Sequence, residues 1–176
     1  CQVAIQHLVA PAASGEAVGV AHVDATIRRL LLRSDSGALA LPAEVGSGIA
    51  QVVPVVVACL APRLPFVMIE QPELHVHPRL QTHLGDLFIE ASASRQLLIE
   101  THSEHLILRL LRRIRETTDG ELPSGAPAFT PDQLSVMHVE STPTGTVFKR
   151  LRVDPSGEFI DRWPSGFFAE RMAELL

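Results

Sequence analysis

Glu70, Gln71, Glu73, His75 and His77 place two carboxylates, an amide and two imidazoles within eight consecutive residues. Such groups bind cations, orient water and move protons, and here they arrive together directly after a short apolar run, residues 66–69. An apolar run of that length, bounded by polar residues, reads as a buried strand. Charged groups at the carboxyl end of a buried parallel strand face the crevice in which α/β proteins hold their ligands. Pro78 follows where a helix can start, because the N–H it lacks would have no intrahelical partner there. A second polar group, Thr101-His102-Ser103, closes another short apolar run at 96–100.

The elements between these groups decide whether they meet. Residues 78–91 predict an amphipathic helix, with Leu80, Leu84, Leu87, Phe88 and Ala91 on one face and Arg79, Gln81, His83 and Glu90 largely off it. Ser103 is the expected N-cap of a helix from Glu104 to about Arg115, whose last turn would set Arg112, Arg113 and Arg115 against the negative end of the helix dipole. Strand, helix, strand at this spacing predicts two parallel neighbours with a crossover helix between them. The side chains of Glu70, Gln71 and His102 are then expected at one edge of the sheet.

Upstream, Glu44 to Gln51 forms a glycine-rich turn that runs into the apolar 52–60, a buried strand or a buried helix that periodicity does not separate. Pro54 is tolerable in such a helix at the cost of a kink. Residues 26–33 and 38–41 flank Ser34-Asp35-Ser36-Gly37 and predict a β-hairpin, with a helix over 23–33 as the alternative. Downstream, 117–131 reads as a loop, 134–140 and 146–153 as strands joined by Pro143-Thr144-Gly145, and 167–176 as a closing helix after the Asp154-Pro155-Ser156-Gly157 turn. The order describes an α/β layer fold.

Composition narrows the function classes. The chain of 176 residues fits one domain with a proper core, and 46% apolar residues with few aromatics suit a globular α/β protein. A formal charge of −5 argues against a surface that coats nucleic acid. Cys1 and Cys59 lie far apart, so a disulfide framework is not indicated and a reducing, cytoplasmic location is expected. No stretch reaches the length of a membrane span; 52–60 is too short and carries Pro54. With no initiator Met, the chain is expected to begin in mid-protein.

Taken together, the motifs carry a resemblance. Residues 66–78, Phe-Val-Met-Ile-Glu-Gln-Pro-Glu-Leu-His-Val-His-Pro, resemble the Walker B and D-loop segment of ABC-type ATPase heads, most of all the AAA-annotated branch related to OLD nucleases and to RecF and SMC heads. Val45-Gly46-Ser47-Gly48-Ile49-Ala50-Gln51 resembles the signature motif that opens a helix before Walker B. Leu97 to Ser103 resembles the strand and switch-histidine loop. The tail around 157–168 is similar to a C-terminal domain of unknown function found on such ATPases. The resemblance implies the C-terminal half of a P-loop NTPase-like, ABC-type head: a mostly parallel sheet flanked by helices, with a terminal β-hairpin. It divides the chain into an N-terminal segment (1–43), the ATPase core (44–131) and a C-terminal hairpin and helix (132–176).

The same resemblance implies roles. Glu70 is the Walker B acid that holds Mg²⁺, and with Gln71, Glu73 and His102 it makes the expected catalytic set for ATP hydrolysis. Gln71 stands where many relatives carry a catalytic Glu; an amide orients water but is a poor base, so slow turnover or a displaced base such as Glu73 is implied. Gly46, Ser47, Gly48 and Gln51 would contact the nucleotide of an opposing head, with His75 and His77 in the D-loop, so the implied assembly is a homodimer around two ATP molecules. A bulky residue at Gly48 is then expected to block the anion site with little effect on the monomer's fold. No Gly-x-x-x-x-Gly-Lys-Ser/Thr occurs in the sequence, so a phosphate loop must come from an N-terminal half. DNA or a defence effector is the implied further partner. Two other classes stay open: a nucleotide-gated dimerisation or scaffold domain with weak turnover, and a metal-dependent hydrolase using His75 and His77 with Glu70.

Overall fold

The structure is a computed structural model and describes residues 17–22, 28–33, 37–61 and 64–162. The expectations for Cys1, for residues 23–27 and for the closing helix at 167–176 lie outside the described residues.

Chain order explains the sheets. β1 (Ala17–His22), a strand the sequence left unassigned, pairs antiparallel with β2 (Arg28–Arg33), and β2 with the short β3 (Leu39–Ala40), the hairpin expected from the flanking stretches. A 3-10 turn at Pro42–Glu44 leads through Gly46, at φ 95°, into α1 (Ser47–Leu60). The apolar stretch left undecided between strand and helix is therefore helical. Val52, Val55, Val56 and Cys59 recur at helical spacing on the covered side, and Pro54, Val57 and Leu60 point outward.

β4 (Phe66–Glu70), α2 (Pro78–Ser92) and β5 (Gln96–Glu100) form the predicted strand–helix–strand unit. The two strands are direct parallel neighbours in the register Phe66 to Gln96 through Glu70 to Glu100. α3 (Glu104–Asp119) follows, and β6 (Val136–Thr142) and β7 (Gly145–Leu151) close an antiparallel hairpin.

Among the described residues the sheet is not mostly parallel: β4–β5 is the parallel part, and the other pairings are antiparallel. The reason is connection length. Short turns return a strand antiparallel, and among the strands that pair with one another only β4 and β5 have a helix between them to bring the chain back in the same direction.

The core sits on one face of this pair. Val67 and Ile69 of β4 pack with Val56 and Cys59 of α1, Leu84, Leu87, Phe88 and Ala91 of α2, and Leu106 of α3. Leu80, expected on the buried face of α2, is 42% exposed because the first turn of the helix projects beyond the sheet contacts. Among the described residues the opposite face of the pair is bare: Phe66, Met68 and Leu98 are 50%, 59% and 52% exposed.

α3 runs one turn beyond the expected end. Its stop is Gly120, at φ 71°, whose N–H donates to the carbonyls of Glu116 and Thr117. The arginines are thus not in the last turn and do not serve the helix dipole. Arg113, 5% exposed, forms a two-point pair with Asp86 of α2 and bonds Glu116; Arg112 also bonds Glu116, and Arg109 lies 3.6 Å from Asp86. Hydrogen bonding to Asp86 raises the Arg113 pKa against the cost of burial. Burial pushes Glu116 up, and Arg112 and Arg113 outweigh it and hold the carboxyl below its usual range. Arg115 reaches the other way, to the Ser156 carbonyl and to Glu158, and docks the turn after β7 against α3. That turn is tight: a Cβ on Gly157 would sit 2.3 Å from the Leu111 carbonyl oxygen.

Candidate functional site

Glu70 and Glu100 end the two parallel strands in register. Side chains alternate along a strand, so both carboxylates fall on the bare face, in line with Phe66, Met68 and Leu98. His102 turns to the same end, with its Nε2 3.6 Å from Glu100 Oε1. Glu100 stands at this same edge, a position that the sequence reading passed over. The signal was present: Ile69-Glu70 and Ile99-Glu100 are the same ending at equivalent places of paired strands.

Immediately after β4 the chain makes a compact turn. Gln71 has φ 45°, and its N–H donates to the Glu100 carbonyl, adding one rung beyond the strands. Leu74 N–H donates to Gln71 O and Val76 N–H to Glu73 O, and His75 has φ 58°. Two non-glycine residues in the left-handed region within five positions mark a backbone held by its surroundings.

Side chains supply that hold. Glu73 accepts the Thr101 hydroxyl at 2.8 Å through Oε2 and the His102 N–H at 2.6 Å through Oε1. Thr101 Oγ1 in turn accepts the Ser103 N–H. Ser103 caps α3 as expected, accepting the Leu106 N–H at 3.0 Å, and donates to Gln81 Oε1 at 2.6 Å. Gln81 Nε2 donates back to the Val76 carbonyl at 2.8 Å. The turn after β4 and the loop after β5 are therefore joined at two points.

An open cleft of about 630 Å³ lies over this network, lined by Gln71, Glu73, His75, His102, Ser103 and Glu104 among others. Gln71, Glu73, His75 and His102 are thus brought together, and Glu70 stands just outside the lining at the end of β4. Gly46, Ser47 and Gly48 open α1 beside the same turn, with Gln51 exposed one turn further on. Gly48 is tightly seated: a Cβ there would lie 2.3 Å from the His75 carbonyl oxygen. A bulky residue at Gly48 would therefore disturb the monomer itself, contrary to the expectation from sequence.

His77 is engaged elsewhere. Its Nδ1 accepts the Arg79 N–H and caps α2. Among the described residues no group of three or more His, Cys, Asp or Glu side chains is gathered to hold a metal. The hydrolase alternative, built on His75 and His77 with Glu70, has no such ligand cluster here. Glu70 and Glu100 instead offer hard oxygens from two adjacent strands, a donor set suited to Mg²⁺, which keeps waters and phosphate oxygens as its remaining ligands.

Helices packed on one face of a parallel strand pair, with carboxylates and a histidine at its carboxyl end, make an α/β domain whose fold is similar to that of an SMC ATPase head. The chain superposes on one from a structure described as "Structural biochemistry of ATP-driven dimerization and DNA stimulated activation of SMC ATPases", with a TM-score of 0.58 at 9% identity, covering 92% of this chain and 81% of that one. Residues 3–109 match the family described as "AAA domain, putative AbiEii toxin, Type IV TA system", and the chain belongs to that family of AAA-type, ATPase-related domains. Among curated proteins, none matches the chain in sequence. Among the described residues no helix is long and apolar enough to cross a membrane.

Proposed function

We propose that this chain supplies the Walker B, D-loop, switch-histidine and signature parts of a composite ATP hydrolysis site. The observation that carries the reading is the in-register ending of β4 and β5 in Glu70 and Glu100, with His102 beside Glu100. Glu70 and Glu100 would hold Mg²⁺, which on binding neutralises phosphate charge and polarises the transferred phosphoryl group. Gln71 presents an amide that orients the attacking water by hydrogen bonding without removing its proton. His102 donates to the γ-phosphate. The free N–H groups of the first turn of α1, at Gly46 to Gly48, offer an anion site reinforced by the helix dipole.

The reading includes three partners. An N-terminal half bearing the phosphate loop would cover Phe66, Met68 and Leu98, an apolar face that has no cover among the described elements. A second copy would bring its nucleotide to the α1 N-terminus, giving an ATP-dependent dimer; support comes from the SMC ATPase likeness, whose description names ATP-driven dimerisation of that protein. DNA or a defence effector would be the element controlled, in line with that description and with the family's. The division into 1–43, 44–131 and 132–176 is kept as part of the proposal. The amide at Gln71 favours one second reading, a dimerisation domain gated by nucleotide with slow turnover.

The test is Mg²⁺-dependent ATP hydrolysis by the full-length protein, with sedimentation measured with and without ATP. Glu70→Gln and His102→Ala are expected to lower the rate at least about tenfold. A protein that stays monomeric and inactive with ATP and Mg²⁺ overturns the composite-site reading. Dimerisation without turnover selects the gated dimerisation domain.

A further inference from the structure

Glu73 was read from sequence as a displaced base. Each oxygen of Glu73 keeps a second lone pair, but both are tied to the loop after β5, one accepting the Thr101 hydroxyl and the other the His102 N–H. Carboxylate acceptors make short, strong bonds to neutral donors, and a 2.6 Å contact to a backbone N–H fixes that peptide plane. We propose that Glu73 is a positioning residue: it sets the backbone at His102, and hence where the imidazole points, from the turn that follows β4. The proposal rests on the ATPase reading for its activity readout only.

The geometry makes the link specific. Residues 101–103 form the short connection between β5 and α3, and each is held from the turn after β4 or by a neighbour within the loop. Thr101 bonds Glu73 and Ser103 N–H, Ser103 bonds Gln81, and Gln81 bonds Val76 O. The Gln81–Ser103 tie fixes the start of α3, and the Glu73 tie fixes the peptide that carries the imidazole. Removing Glu73 should therefore release His102 while leaving α3 capped. The hydroxyl of Thr101 completes the latch, so Thr101→Ser should preserve it and Thr101→Val should weaken it.

The experiment is a double-mutant cycle in the full-length protein, with the His102 imidazole followed by NMR and folding followed by melting. Glu73→Ala is expected to lower kcat for ATP roughly 10- to 100-fold, the scale of misplacing a group near the reacting atoms, with KM changed much less. The Glu73→Ala/His102→Ala double variant should be no slower than His102→Ala alone, because a residue acting through another has no effect once that other is gone. An additive double variant, or loss of the acidic limb of the pH–rate profile in Glu73→Gln, would make Glu73 the base and overturn the proposal. If the parent protein hydrolyses no ATP, the ATPase reading fails by itself. The His102 ring resonances still decide the latch: they must shift in Glu73→Gln and Thr101→Val but not in Thr101→Ser. Unchanged resonances in the two disrupting variants refute it. Glu73→Gln keeps the side chain's shape and serves where Glu73→Ala fails to fold.

Discussion

Gly48→Ala separates two opposite physical effects. In a helix interior, replacing Gly by Ala is favourable by roughly 0.5–1 kcal/mol, because the glycine backbone loses more freedom on folding. At this position the new methyl would meet the His75 carbonyl oxygen at 2.3 Å, with the His75 carbonyl carbon at 3.2 Å. Ordinary carbon–oxygen contact requires about 1 Å more, and the obstacle is backbone rather than a flexible side-chain tip. Overpacking of this kind costs roughly 1–3 kcal/mol. The clash outweighs the propensity, and the net expectation is a loss of about 1–2 kcal/mol. For a chain of this size that is a fall in Tm of roughly 2–8 °C. Urea unfolding followed by circular dichroism measures it. Stabilisation by Gly48→Ala would refute the close seating of α1 on the turn and, with it, the account of why glycine stands there.

Other outcomes follow from the same packing. Arg113→Ala should destabilise by about 3 kcal/mol, the lower end for a broken buried pair because Arg109 stays near Asp86; chemical denaturation tests it. Ser103→Ala removes the α3 cap and the donor to Gln81, and should cost about 1–2 kcal/mol in the same assay. Burial raises the Cys59 thiol to about 11 from 9.0, only partly offset by Arg95. The unfolded thiol then ionises first, so stability is complete below pH of about 9 and declines on the order of 2 kcal/mol as pH rises toward about 11. Cys59→Ala should flatten that alkaline loss, and native Cys59 should react with alkylating reagents only on opening of the core.

Where periodicity was strong, the sequence was readable. The α2 stripe, apart from Leu80, the two apolar runs around it and the Ser103 cap all had local signals and appear as expected. α1 was ambiguous because an apolar run of valines suits either strand or helix. What decides it is tertiary: Val56 and Cys59 find the face of β4, and Arg95 bonds the carbonyls of Ala58 and Ala61 at the helix end. The end of α3 was placed too early because Thr117 and Thr118 are poor helix formers, yet their hydroxyls bond back to Arg113 O and Ile114 O. The candidate site was legible as residue types but not as geometry. Glu73 was legible as a carboxylate of the site, but its two partners, 28 and 29 residues away, were not. The cap that His77 Nδ1 places on α2 had no signal in the sequence beyond the Pro78 that follows it.

Pro54 gives α1 an uneven stiffness. Proline has no N–H, so the carbonyl of Ala50 loses the bond that would tie the first turn to the second. Beyond Pro54 the helix is an anchored rod, with Val56 and Cys59 buried and its far end gripped by Arg95. Before Pro54 the helix lacks that bond, and it rests on the His75 carbonyl through Gly48 and on the core through Val52. The His75 carbonyl belongs to the turn that carries Glu73, so the first turn of α1 and the turn of the site lie in direct contact.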